Sequence, residues 1–170
     1  MTASGLPMPG GTGGERELLK QWLDLHRATL AAKCEGLSDE QLRRTSAPPS
    51  GLTLLGLVRH LANVERHWFR RMWRDEDSAP LYCTETDRAL GFVVTEADTG
   101  AEALAVWRRE VDRARKAAAE RALDEVAVHP RRTDWQTSLR WMYLHMIGEY
   151  ARHNGHADLL RERIDGATGF

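Results

Sequence analysis

The sequence has few cysteines, and the two that it has, Cys34 and Cys83, lie far apart in the chain. A CxxC metal-binding motif is therefore excluded. The first residues have neither the basic region nor the apolar region of a secretory signal. Reduced thiols in the cytoplasm are accordingly expected, rather than a structural disulfide.

Long apolar runs are also missing, because no stretch approaches the ~18 consecutive apolar residues that span a bilayer. The formal net charge is only −1, which gives no electrostatic reason to expect a nucleic-acid partner. With 42% hydrophobic and 29% charged residues, the composition is that of an ordinary globular protein. The sequence predicts a flexible Gly/Pro-rich leader over residues 1–14 and a single domain over residues 15–170.

Apolar residues recur with helical spacing in four long segments, and no segment alternates convincingly over the length of a strand. The predicted helices cover 15–34, 54–73, 100–122 and 138–163. A short helical turn is expected at 38–42, where Ser38 and Gln41 have the spacing of a capping box. Polar connections fill 74–99 and 123–134. We therefore predict an all-α protein, an up-down four-helix bundle of antiparallel helices with one long crossover loop.

Residue types that ligate metals are concentrated on the second and fourth long helices. They are His60, His67, His145, Glu149, His153 and His156. The four on the fourth helix form one lengthwise stripe, and Glu149 and His153 are one turn apart, so both can reach the same ion. An imidazole from the second helix would complete a set of three ligands and leave a coordination position open, as catalytic sites do. Spacing alone does not decide which three residues bind.

The segments LLGLVRHLANVERHWF (54–69) and SLRWMYLHMIGEYARHNGHADLLRERIDG (138–166) resemble the DinB/YfiT-like metalloprotein superfamily, in particular its actinobacterial mini-circle protein branch. This resemblance implies a four-helix bundle with a metal ion at one end of its core. His60 and His153 match two of the usual histidine ligands. Glu149 stands where the third histidine is common, which is similar to the His/Glu/His set of mycothiol-dependent maleylpyruvate isomerase.

The resemblance implies a metal-dependent S-transferase that activates a low-molecular-weight thiol, with mycothiol as co-substrate, for attack on a small electrophile. Zinc is the favoured divalent ion, and nickel, manganese and iron(II) also suit these ligands. Two alternatives stay open. One is a hydrolase or isomerase in which the ion activates water, and the other is a non-catalytic metal-binding stress-response protein. A homodimer is a further expectation from the resemblance.

The remaining polar residues of the two helices are assigned lesser roles. His156 is expected to orient His153 through a hydrogen bond, with substrate contact and proton transfer as the alternatives. Glu65 and His67 are expected to make polar contacts at the bundle end. A position facing the pocket is weighed for Asn63, three residues after His60, and is not favoured. His145 lies about 12 Å along the helix axis from His153 at 1.5 Å per residue, so it is assigned to packing rather than to ligation.

Overall fold

The computed structural model of the protein describes residues 6–73, 79–129 and 132–169. Within these ranges the chain is mostly helical, as predicted, but it also contains one two-stranded sheet. The helices are α1 (Glu15–Cys34), α2 (Asp39–Arg43), α3 (Leu54–Phe69), α4 (Gly100–Ala119) and α5 (Leu139–Asp165). Short 3-10 turns cover Arg71–Trp73 and Ala89–Phe92. None of the helices in the described ranges has the length and apolar character needed to cross a bilayer.

Local capping interactions fix the helix ends near the predicted positions. The Ser38 hydroxyl accepts from the Gln41 backbone N–H, and the Gln41 side chain accepts from the Ser38 N–H, so the predicted capping box is present. The side chains of Thr53 and Ser138 cap the first turns of α3 and α5. Gly166, with φ of +79°, ends α5 in the left-handed conformation that glycine adopts without strain.

Two helices end earlier than predicted. Helix α3 stops at Phe69 because Arg70 leaves the helical region, with φ of −124° and ψ of −60°, and a 3-10 turn follows. Helix α4 stops at Ala119 instead of 122. The Arg16 guanidinium of α1 donates to the Ala118 carbonyl at 3.3 Å, which satisfies one of the carbonyl groups left unpaired at this end of α4.

The helices do not alternate in direction along the chain as predicted. Ion pairs join Arg59 to Asp98 at 2.6 Å and Arg66 to Glu110 at 2.8 Å, so α4 runs parallel to α3. Contacts of residue 15 with residue 140 and of residue 33 with residue 158 likewise place α5 parallel to α1. The long connection after α3 returns the chain to the level at which α3 began, which makes the parallel arrangement possible.

A small antiparallel hairpin stands where only a polar loop was expected. Strands β1 (Val126–His129) and β2 (Arg132–Ser138) pair with Val126 opposite Ser138 and Ala127 opposite Thr137. The sequence gives no clear strand pattern for β1, because the buried positions are Ala127 and His129, whereas the apolar Val126 is 51% exposed. The usual alternation of apolar and polar residues is therefore inverted in this strand.

A buried ion pair crosses the apolar core. The Arg27 guanidinium donates two hydrogen bonds to the carboxylate of Glu65, at 2.8 and 2.7 Å, and Glu65 has no exposed surface. The Tyr150 hydroxyl donates to the same carboxylate at 2.7 Å and accepts from the Trp107 indole at 2.8 Å. The expectation that Glu65 lies at the bundle end is therefore wrong, because its charge is matched inside the core.

Removing one partner of this pair should be costly. We expect Arg27→Met to lower the free energy of unfolding by about 3–5 kcal/mol, because a buried carboxylate is left without its cation. Adding Glu65→Gln should recover part of the loss, since it removes the uncompensated charge. Urea denaturation of metal-free protein followed by circular dichroism measures both effects.

The control is Arg115→Met, which removes a half-exposed partner of Asp24 and should cost less than about 1 kcal/mol. An equal cost for Arg27→Met and Arg115→Met would contradict the buried pair.

Candidate metal centre

Three of the side chains singled out in the sequence converge between α3 and α5. One ligand atom from each of His60, Glu149 and His153 lies within 4.8 Å of the other two. The Glu149 carboxylate is 3.0 Å from His60 Nε2 and 3.5 Å from His153 Nε2. The three groups meet because Glu149 and His153 are successive turns of one helix and α3 crosses opposite them.

Glu149 is held in its charged form. Hydrogen bonding to His153, followed by that to His60, lowers the pKa of the carboxyl well below its usual range despite partial burial. An anionic carboxylate between two imidazole nitrogens is a donor set that suits a divalent cation.

The two imidazoles are fixed by contacts on their far sides. The ring of His60 stacks on Phe92, with centroids 4.3 Å apart and planes inclined by 20°. His153 Nδ1 lies 3.3 Å from the Nδ1 of His156, within hydrogen-bonding distance. That contact occupies the outer nitrogen of His153 and leaves Nε2 toward Glu149, which is the orienting contact expected of His156.

Phe92 reaches His60 because a glycine allows the long connection to come close to α3. A Cβ atom on Gly56 would lie 2.8 Å from the Phe92 carbonyl oxygen, which is closer than van der Waals contact. Gly56 is one turn before His60, so the connection packs on the same face of α3 that carries the imidazole.

Polar side chains of α3 hold the connection in place. The Asn63 amide donates to the Cys83 sulfur at 3.1 Å and accepts from the Leu81 N–H at 3.0 Å. The Arg66 guanidinium donates to the Ala79 carbonyl at 3.0 Å. These bonds are one turn apart along α3 and place the connection over the groove between α3 and α5.

A cavity of about 230 Å³ lies between this connection and the two helices. The triad residues His60 and Glu149 form one part of its wall. The other lining residues are Asn63, Val64, His67, Trp68, Arg71, Pro80, Cys83, Thr84, Glu85, Arg88 and His145. A larger cleft of about 500 Å³ lies between α1, α4 and the start of α5, but it contains none of the three converging residues. The smaller cavity is therefore the candidate site.

The family of the chain follows from a match that covers most of its length. The family model described as MST, mycothiol-S-transferase, matches residues 18–166. The chain belongs to the mycothiol S-transferase family. This family is part of the DinB/YfiT-like superfamily, so the predicted resemblance is confirmed. No curated protein matches the chain.

In this member of the mycothiol S-transferase family, the matched region contains every residue predicted to form the site. His60, Glu149, His153 and His156 lie together. Asn63 lines the cavity, a position that the sequence analysis does not favour. His145 stacks on Trp141 with centroids 4.8 Å apart, in agreement with its assignment to packing, and it also lines the cavity.

The sequence did not identify the residues that the long connection brings to the site. Phe92, Cys83 and Arg88 lie outside the predicted helices, so helical periodicity gives no information about them. Arg71 lies within the predicted helix 54–73, one turn after His67, but the sequence analysis did not single it out. The one available signal was Gly56, a glycine one turn from His60 in an otherwise strong helix, which is typical of a close approach by another backbone segment.

Replacing Gly56 with alanine tests the close approach. Alanine for glycine inside a helix ordinarily stabilises by about 0.5–1 kcal/mol. At Gly56 we expect a loss of about 1–3 kcal/mol in unfolding free energy, because the methyl group meets the Phe92 backbone.

The matched control is Gly148→Ala in α5, where the added Cβ meets nothing within 4 Å. It should stabilise the protein. A gain in unfolding free energy for Gly56→Ala as well would contradict the contact with Phe92.

Burial lowers the pKa of His67 to about 3, and the nearby charges of Arg88 and Arg71 lower it further, with smaller contributions from His129 and His145. Below the ordinary value of 6.5, the unfolded chain binds a proton that the folded protein does not bind. Stability should therefore fall as the pH drops from about 6.5 toward 3.

Substitution of His67 by phenylalanine removes this contribution. Between pH 7.5 and pH 5.0, we expect the unfolding free energy of His67→Phe to improve by about 2 kcal/mol relative to the wild type. Denaturation of metal-free protein at the two pH values measures the difference. If the difference in unfolding free energy between variant and wild type does not change with pH, the pKa of His67 is not lowered by folding.

Proposed function

We propose that the protein is a metal-dependent transferase that activates a small thiol, mycothiol, for attack on a small electrophile. A divalent cation, with zinc favoured, would be held by His60, Glu149 and His153. The observation that carries this proposal is the convergence of three donor atoms within 4.8 Å, on three residues of which two, His60 and Glu149, line a cavity. Membership of the mycothiol S-transferase family supplies the thiol.

The donor set fits such an ion. Two neutral imidazole nitrogens and one carboxylate are common ligands of zinc and of other divalent first-row metals. Among the described residues, no fourth side chain joins the group, so coordination positions stay open toward the cavity. A bound divalent cation would lower the pKa of a thiol from its ordinary ~8.5, so that the thiolate nucleophile forms at neutral pH.

The protein residues themselves position the reactants. Phe92 and His156 keep the imidazoles turned toward Glu149, and Glu149 places its negative charge beside the cation. At about 230 Å³ the cavity is smaller than the usual ~300–1,000 Å³ of ligand pockets. It therefore accepts the reacting ends of thiol and electrophile, and the remainder of a sugar-linked thiol lies outside. The homodimer expected from the resemblance remains a prediction.

Metal uptake and conjugation test the proposal together. We expect metal-free wild-type protein to take up about one equivalent of zinc. Uptake should be largely lost in His60→Ala, Glu149→Ala and His153→Ala. With mycothiol and 1-chloro-2,4-dinitrobenzene, conjugate formation above the uncatalysed rate should fall at least ~10-fold in these variants and after chelation, because only a few per cent of a free thiol is thiolate at neutral pH. Elemental analysis and the absorbance of the conjugate are the two measurements.

The control is Glu120→Ala, a change at the exposed end of α4, which should alter neither measurement. Zinc uptake without conjugation of any electrophile in a panel would overturn the thiol role. Conjugation that persists in the three variants would overturn the metal role.

A further inference from the structure

The larger cleft between α1, α4 and the start of α5 has no part in the proposed function. We propose that this cleft, which we call the second site, binds one amphipathic organic anion with an alkyl chain. Its volume of about 500 Å³ lies within the usual ~300–1,000 Å³ of ligand pockets, whereas the cavity at the metal centre is smaller. The proposal depends on residues of the cleft alone and is independent of the proposed function.

The second site exists because α1 and α4 do not pack closely against each other. Helix α4 packs on α3, and α5 packs on α1, whereas α1 is joined to α4 by long side chains. The Arg16 guanidinium donates to the Ala118 carbonyl at 3.3 Å, and Arg115 pairs with Asp24 at 2.9 Å. These two contacts are about 12 Å apart along the axis of α1, and the space between the helices stays open.

Part of the second site is apolar. Five residues, which we call the floor, provide this part, and they are Phe69, Ala114, Ala118, Ala119 and Tyr143. The three alanines are too short to fill the space beside α4, and the two rings pack together with centroids 5.7 Å apart. An alkyl chain that lies on the floor is removed from water, which favours binding.

The shape of the second site favours a chain over a compact body. Its lining residues on α1 extend from Arg16 to Arg27, an axial length of about 16 Å at 1.5 Å per residue. A volume of about 500 Å³ spread over this length is narrow. We therefore expect a medium-length alkyl chain to lie along α1.

Basic residues surround the floor. Arg16, Lys20, Arg115 and Lys116 line the second site, whereas Asp24 is the one acidic residue that lines it in the part of the chain that the structure describes. An excess of positive charge beside an apolar surface attracts a ligand with a negative head group.

Lys116 is the cation most available to such a head group. Its ammonium makes no ion pair or hydrogen bond within the described ranges, and its side chain is exposed. Lys20 is paired with Glu17 at 3.3 Å, and the buried Arg27, which also lines the cleft, is matched by Glu65 at 2.7 Å. The ammonium of Lys116 is therefore free to pair with a carboxylate.

Tyr143 adds an unused polar group to the floor. The residue is only 5% exposed, and its hydroxyl has no hydrogen-bond partner among the described residues. This hydroxyl is not one of the fully buried unpaired atoms, so it keeps some contact with solvent. Arg27, Arg16 and Asp24, which influence its pKa, also line the cleft. Because buried polar groups are nearly always paired, this hydroxyl indicates a position for a polar group of a ligand.

Three alkyl compounds test the second site in calorimetry below their micelle concentrations. We expect metal-free wild-type protein to bind about one decanoate per chain with a saturable isotherm. Butanoate has the same head group and a shorter chain, and decyltrimethylammonium has the same chain length and a cationic head group. Each of these two should bind at least ~10-fold more weakly than decanoate, because each loses either the apolar or the electrostatic contribution.

Variants of the lining residues locate the binding. Ala119→Phe places a ring in the space of the alkyl chain and should lower the affinity for decanoate at least ~10-fold. Lys116→Gln and Tyr143→Phe should each lower it several-fold, since each removes one polar contact with the carboxylate. Two exposed residues outside the cleft provide matched controls, Ala101→Phe and Arg44→Gln, and both should leave the affinity unchanged. A thermal melt checks that every variant is folded.

The use of metal-free protein separates this proposal from the transferase proposal, because a carboxylate then has no metal ion to bind. Saturable decanoate binding that Ala119→Phe removes supports the second site, whatever the result of the conjugation assay. Decanoate and decyltrimethylammonium binding of equal strength would overturn it. Decanoate binding that folded Ala119→Phe leaves unchanged would also overturn it.

Sedimentation of the wild type with and without decanoate tests a different occupant of the cleft. We expect the same sedimentation coefficient in both cases, since a small ligand does not change the oligomeric state. A dimer that dissociates on addition of decanoate, and that Ala119→Phe does not form, would show that a second copy of the chain covers the cleft. That result would overturn the proposal.

Discussion

The four long helices are joined at one buried chain of hydrogen bonds. Arg27 of α1 pairs with Glu65 of α3, Glu65 accepts from Tyr150 of α5, and Tyr150 accepts from Trp107 of α4. Apolar side chains pack in several registers at similar energy, whereas a buried charge is tolerated only with its partner in place. This chain of bonds therefore fixes the helices along their axes.

The candidate metal centre depends on that alignment. Tyr150 is adjacent to Glu149, and Glu65 is five residues after His60, so the bond between Tyr150 and Glu65 sets the level at which His60 faces Glu149. Donor atoms must lie close to their productive positions to bind one cation. A shift of α3 past α5 by one turn, about 5.4 Å, would separate the three residues. The buried hydrogen bonds in the core thus determine the geometry of the candidate metal centre at the edge of the core.

The sequence predicted those features that depend on short stretches of chain. The capping box at Ser38, the N-cap at Thr53 and the pairing of Glu149 with His153 are properties of a single helix, so spacing reveals them. The facing imidazole of His60 came from a resemblance that the family match confirms. The roles of these residues in metal binding remain a proposal.

The features that sequence reasoning missed all join distant parts of the chain. Glu65 is predicted to lie at the bundle end, because nothing near it in sequence reveals Arg27 or Tyr150. Strand β1 buries Ala127 and exposes Val126, so its pattern resembles a loop. Phe92 reaches His60 only through the close approach at Gly56, and the parallel course of α3 and α4 follows from a connection whose path no periodicity encodes. In each case tertiary contact overrides local preference.

The cavity wall consists of two kinds of structure, the helices α3 and α5 and the long connection after α3. The converging residues stand on helices whose positions are fixed by the core, whereas Cys83, Arg88 and Phe92 stand on a segment held by a few hydrogen bonds to α3. Surface connections accept sequence change more readily than helices do. Mutational drift in residues 79–92 would therefore diversify the range of compounds accepted while the chemistry at the helices is inherited intact. Paralogous chains of one family could acquire different substrates by this route without rebuilding the bundle.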